Sequence, residues 1–259
     1  QFIRGTHDAI LEARAAATGR PVRVLYAGCG PYATLLVPLL TVFSPDTLRV
    51  TLLDLHEESI ASARRLVAAL GLWEGAADFE TMDAADWPPA PGQPPDVIVL
   101  EIMRACLEAE PQVAITRHLL ALCPDALLVP AEVRIDLVLV DPAREFDLEA
   151  VAENRPPRER DRIQVGTAFT LNREAIAGWA EVKGDRLPGA ELRLPDSAPR
   201  YQPMLFTRIQ VFGRHRLADH ASGLTSPRAL AVEGRLNAGA VIRFHYEQGS
   251  HPKLCAVVV

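Results

Sequence analysis

The chain has 259 residues, 49% of them hydrophobic, enough to bury a substantial core, which excludes a disordered protein and fits one α/β domain with a smaller appendage. A net charge of −6 argues against duplex binding as the main function, because phosphate contacts need clustered Lys and Arg. The four cysteines, Cys29, Cys106, Cys123 and Cys255, form no C-x-x-C pair, so no zinc or disulfide framework is expected, and a reducing cytoplasm is the expected compartment.

No apolar run long enough to span a bilayer and no secretory leader pattern is read, so a soluble protein without a membrane partner is expected. Thr6 to Thr18 predicts a helix capped by Thr6 or Asp8 and ended by Gly19. Strand Val22–Tyr26 runs into a glycine turn, and a helix Tyr32–Phe43 is expected behind Pro31, which loses no needed N–H at a first helical position. Ser44-Pro45-Asp46 is turn chemistry. Strand Arg49–Asp54, helix Ser59–Leu70 with its stop at Gly71, short strand Phe79–Met82, proline-rich loop Trp87–Pro95 and apolar strand Asp96–Leu100 follow. This β-α-β-α order indicates a parallel sheet.

A helical pattern covers Glu108 to Leu122, and Ala126–Val129 is extended. From Val133 to Val140 apolar residues alternate with Arg134 and Asp136, the period of a strand with one wet face. Phe206–Phe212, Leu230–Leu236, Val241–Glu247 and Leu254–Val259 are also β-like, so residues 131–259 read as an antiparallel second domain after a first domain at 1–130. The stretch 142–203 reads as a less regular insertion, with Arg155–Arg162 a solvated mixed-charge loop and Arg173–Ala180 a short helix.

The chemistry gathers at strand ends. Gly28 and Gly30 let the backbone approach a ligand, and Asp54 ends the next strand as an acceptor for ribose hydroxyls. Asp83 ends the strand after that, near where an adenine amine would sit, with Tyr26, Cys29, Leu55 and Ala84 as flanking contacts. A nucleoside site at the carboxyl rim of the sheet is the reading. Cys29 is read as a packing residue and not a nucleophile.

Past the buried strand DVIVL comes EIMRACLEAE, with Glu101 at its start and Glu110 nine positions later. Two converging carboxylates make a site for a planar guanidinium, which donates paired hydrogen bonds to each; otherwise Glu110 caps a helix and Glu101 faces water. Met103 and Arg104 are candidates to shape the substrate channel. The seven histidines show no ligand spacing such as H-E-x-x-H, so no metal is assigned.

These pieces resemble the protein arginine methyltransferases, class I enzymes dependent on S-adenosyl-L-methionine. The likeness rests on Asp96–Glu101 with Glu110 as a double-E loop, the helix about Val113–Leu122, and LLVPAEVRIDLVLV from Leu127 to Val140. THDAILEA before the glycine turn and the GCGP turn itself add to it. The resemblance implies a Rossmann-like cofactor domain, a C-terminal antiparallel β-barrel-like domain, S-adenosyl-L-methionine at the glycine turn, and catalysis by Glu101 and Glu110. It also implies a homodimer formed through an arm at about 142–203.

The chain departs from the family pattern at Tyr26, where an acid often stands, and at Tyr201–Phe206, where YQPMLF replaces a Thr-His-Trp loop. The expected acceptor is therefore a guanidino or amino nitrogen of free arginine, a peptide or a small metabolite. Methyl transfer to oxygen or carbon, and a non-catalytic cofactor-binding or scaffold protein favoured by Tyr26 and Tyr32, stay open as alternatives.

Overall fold

Along the first strand, β1 (Val22–Ala27), burial does not alternate, since both faces of the strand are covered. Val24 and Tyr26 enter one apolar cluster while Leu25 and Ala27 enter another. The computed structural model describes residues 1–72, 77–196, 200–232 and 236–259. Around β1 lie α1 (Phe2–Ala16), α2 (Val37–Leu40), β2 (Leu48–Asp54), α3 (Glu57–Ala69), β3 (Ala77–Thr81), β4 (Val97–Leu100), α4 (Gln112–Leu122) and β5 (Leu127–Val129). The five strands form a parallel sheet in the order β3-β2-β1-β4-β5. The order reverses between β1 and β4, and open α/β sheets bind ligands in the crevice such a reversal creates.

The rest of the chain is antiparallel. It comprises β6 (Glu132–Val140), α5 (Pro142–Glu145), α6 (Leu148–Ala152), β7 (Arg162–Asn172), α7 (Arg173–Gly178), β8 (Arg186–Arg193), β9 (Gln202–Phe212), β10 (His215–Leu217), β11 (Arg228–Ala229), β12 (Val241–Glu247) and β13 (Lys253–Val258). One sheet runs β10-β9-β6-β7 with β11 on β9, and a second runs β13-β12-β8. The first apolar cluster is continuous from the helix side of the parallel sheet through Ile135, Leu137, Phe169 and Tyr246, so one core spans both parts. Phe169 stacks between Trp179 and Tyr246 at ring-centroid distances of 5.3 and 5.0 Å.

Helix α1 joins the two parts. It packs against β5 and β9, so closely that a Cβ on Gly5 would lie 2.5 Å from Cγ1 of Val211. Midway along it Asp8 makes a 2.8 Å contact with Nε2 of His215.

The helix behind Pro31 is only the four residues of α2, because Ala33 takes a positive φ of 43° and breaks the path. Residues 31–36, all in turns, therefore separate Gly30 from α2. Neither Thr6 nor Asp8 caps α1, which begins at Phe2 and buries Thr6 inside it. Within the stretch 142–203, β7 pairs with β6 along its length and β8 pairs with β12. Its polar wet-face residues hide these strands from a periodicity reading. Of the expected strand Leu230–Leu236, residues 230–232 are not in a strand and 233–235 lie outside the described residues.

Candidate active site

The glycine turn sits at the carboxyl end of β1, and its shape is set by what surrounds it. Gly28 has φ +73°, and a Cβ there would meet Ile102 Cγ1 at 2.6 Å and the Glu101 carbonyl oxygen at 2.9 Å, so only glycine fits against the end of β4. Gly30 also has a positive φ, +62°, yet a Cβ there would meet nothing within 4 Å. The backbone at Gly30 therefore borders open space.

Asp54, at the end of β2, is 8% exposed and fixes this turn. Its Oδ2 accepts from the Gly30 N–H at 2.9 Å and its Oδ1 accepts from the His56 N–H at 2.9 Å. Each oxygen keeps one further acceptor direction, since a carboxylate offers about four. Asp83 lies two residues past β3 and is exposed, with Oδ1 accepting from the Ala85 N–H at 2.8 Å. Three apolar side chains stand on the same rim, Tyr32 at 64%, Leu55 at 61% and Met82 at 40% exposure. Apolar surface rimmed by Asp54 and Asp83 suits the faces of a nucleoside.

The side chains of Tyr26, Cys29 and Ala84 are buried in the core clusters. Burial pushes the Cys29 thiol up to about 12, with the Asp54 charge adding to it, which suits a packing residue. Met103 also turns into the core, leaving exposed Arg104 as the outward member of the predicted substrate pair.

Glu101 follows β4 directly, its N–H donating to the Ala27 carbonyl at 3.1 Å, and it is exposed at the rim. Its Oε2 accepts the hydroxyl of Tyr26. Desolvation raises the Glu101 carboxyl above the ordinary range, and the Tyr26 bond opposes that rise. Glu110 is half-buried, and no hydrogen bond or ion pair reaches its carboxylate among the described residues.

The loop between the two glutamates is held in a costly shape. Cys106, Leu107 and Ala109 have φ values of 60°, 57° and 64°, a region that L-residues enter only under constraint. The constraint comes from the antiparallel part. The Cys106 N–H donates to Oγ1 of Thr207 at 2.8 Å, the Ala109 N–H donates to the Pro252 carbonyl at 2.8 Å, and the Tyr246 hydroxyl donates to the Leu107 carbonyl at 2.7 Å. Thr207 and Tyr246 carry no local sequence signal for this role, since they stand 101 and 139 residues away.

A parallel sheet with its reversal at a glycine turn, followed by two antiparallel sheets that pin an acidic loop, is a Rossmann-like fold with a barrel-like C-terminal domain. Neither a protein-family model nor a curated protein matches the chain. Among solved structures it is similar to the Trypanosoma brucei PRMT1 enzyme-prozyme heterotetrameric complex with AdoHcy, with a TM-score of 0.58 and 14% identity over 95% of this chain and 86% of that one. At that identity the likeness is one of fold.

Proposed function

We propose that the chain is an S-adenosyl-L-methionine-dependent methyltransferase acting on a guanidino or amino nitrogen of arginine, a peptide or a small metabolite. What supports it is the open turn at Gly30 with the anchored Asp54 beside it and Glu101 just past the end of neighbouring β4, from which the loop to Glu110 runs on. The solved relative in fold holds AdoHcy, which supports the same nucleoside at this rim.

The residues fit that cofactor. Gly30 leaves room for it, Asp54 has acceptor capacity for ribose hydroxyls, Asp83 Oδ2 has no hydrogen-bond partner among the described residues, and Leu55 and Met82 offer apolar surface to a base. When bound, the cofactor supplies a methyl group activated on a sulfonium. A guanidinium, with a pKa of about 12.5 or above, is a poor nucleophile in its delocalised form. Glu101 and Glu110 would draw positive charge onto the nitrogens that do not react and leave electron density on the one that does. The proton lost after transfer goes to Oε1 of Glu101, the oxygen Tyr26 does not occupy.

Mass spectrometry of free arginine and arginine peptides incubated with the protein and S-adenosyl-L-methionine tests this. Methylated product is expected from wild type, and its loss from Glu101→Gln and Glu110→Gln. Wild-type turnover in both variants sinks the assignment. A homodimer belongs to the same reading and is checked by light scattering.

A further inference from the structure

Strands β12 and β13 run antiparallel with His245 directly opposite Cys255. Glu247 is two places further along β12, so alternation puts its side chain on the same face as His245. Tyr246, between them, points the other way, into the core and onto Leu107. One imidazole nitrogen, one carboxylate oxygen and one sulfur come to lie within 4.8 Å of one another. His245 Nε2 and Glu247 Oε1 are 3.3 Å apart. A tetrahedral zinc centre with nitrogen and oxygen ligands at about 2.0–2.1 Å has an edge of roughly 3.3 Å, so this pair is already at ligand spacing.

We propose that His245, Glu247 and Cys255 form a zinc site on the outer face of the second antiparallel sheet, with water in the fourth position. The donor set argues for the metal: a thiolate with an imidazole suits zinc, whereas magnesium and calcium take oxygen ligands. His245 is 16% and Glu247 36% exposed at the side chain, which leaves an entry path and an open fourth position.

Arg186 donates to Oε1 of Glu247 at 3.1 Å, but its side chain is 69% exposed and can swing away at small cost. On binding, the Cys255 S–H bond breaks, its proton passes to solvent, and sulfur bonds the metal. The bound ion ties edge strand β13 to β12. A search for paired histidines misses the site because its ligands are one histidine, one glutamate and one cysteine on two strands.

Cobalt(II) added to the purified protein tests this without any variant. A near-ultraviolet thiolate-to-cobalt band together with visible bands of tetrahedral intensity is expected at one equivalent, and zinc should abolish both by displacement. Cys29, Cys106 and Cys123 are buried, so the thiolate band reports Cys255, and Cys255→Ser should erase it. In competition with a chromophoric zinc chelator, Cys255→Ser and His245→Ala should each weaken zinc by more than about 100-fold, beyond what loss of an outer-sphere partner costs. The proposal is overturned by an octahedral cobalt spectrum without the thiolate band, or by zinc affinity equal in wild type and both variants.

Discussion

The hydroxyl of Tyr26, wholly buried in β1, donates to Oε2 of Glu101 just past the end of the neighbouring β4. Burial, the Glu101 charge and this bond all raise the phenol's pKa, so Tyr26 stays a proton donor throughout the working pH range. Tyr26 therefore orients the candidate catalytic carboxylate.

Tyr26→Phe is expected to move the acid limb of kcat/KM to higher pH. The Tyr26 bond favours the charged carboxylate, and desolvation disfavours it; removing the bond leaves desolvation unopposed, so the Glu101 pKa rises. A hydrogen bond to a charged group is worth about 1.5–3 kcal/mol, which corresponds to roughly one pH unit or more. An acid limb unchanged in Tyr26→Phe would show that Glu101 is not the titrating group.

The strained loop should separate turnover from cofactor affinity. Tyr246→Phe removes the donor to the Leu107 carbonyl, and leaving that group unsatisfied costs about 1–3 kcal/mol. Thr207→Val does the same to the Cys106 N–H. Both variants should lower kcat while the affinity for S-adenosylhomocysteine by calorimetry changes little. Ala109→Gly, at an exposed position with φ 64°, should stabilise the fold by about 0.5–1 kcal/mol and still lower kcat by loosening the loop.

The first half of the fold was legible in the sequence because its signals are local. Strand runs end on Asp54 and Glu101, and glycines stand at the turns. The shape of β7 and β8 was not, since Arg162–Asn172 and Arg186–Arg193 are half-buried strands whose alternation is blurred by bulges against β6 and β12. At the site, sequence placed Glu101 and Asp54 on one rim, but side-chain direction escaped it. Tyr26 and Cys29 lie in a doubly covered strand end and turn, and Met103 turns inward beside Cys106 and Leu107. The anchors Thr207 and Tyr246 are set by tertiary pairing alone.

The two turn glycines predict opposite outcomes. Gly28→Ala forces Ile102 and the Glu101 backbone to move, so it should cost more than about 2 kcal/mol by denaturant unfolding and disturb the site. Gly30→Ala meets nothing in the protein, so only the left-handed φ opposes it, about 1 kcal/mol. If the cofactor seats over Gly30, the added methyl should nonetheless cut S-adenosylhomocysteine affinity at least tenfold. Unaltered affinity in a folded Gly30→Ala protein would place the nucleoside elsewhere.

Acid stability should follow two carboxylates outside the site. Glu145, whose side chain is fully buried, receives Nε and Nη2 of Arg162 at 2.7 and 2.6 Å and faces Nε2 of His220 at 2.5 Å. Asp96 receives both terminal nitrogens of Arg20 at 2.7 and 2.6 Å and the Arg23 N–H at 2.8 Å. Burial alone would raise both groups, and these donors more than offset it, leaving both below the ordinary carboxylate range. A carboxylate with a depressed folded pKa contributes fully above its unfolded value, about 4, and loses that contribution as pH falls through the folded value. Thermal stability should therefore hold from neutral pH down to about 5 and fall steeply below 4. Glu145→Gln leaves Arg162 with Asp219 as its remaining partner, at 2.6 Å, and should cost about 2–3 kcal/mol at neutral pH. The gap between Glu145→Gln and wild type should shrink as the pH drops, because protonation removes the same charge. A gap that stays constant down to low pH would mean that Glu145 stabilises the fold by packing and not by its charge.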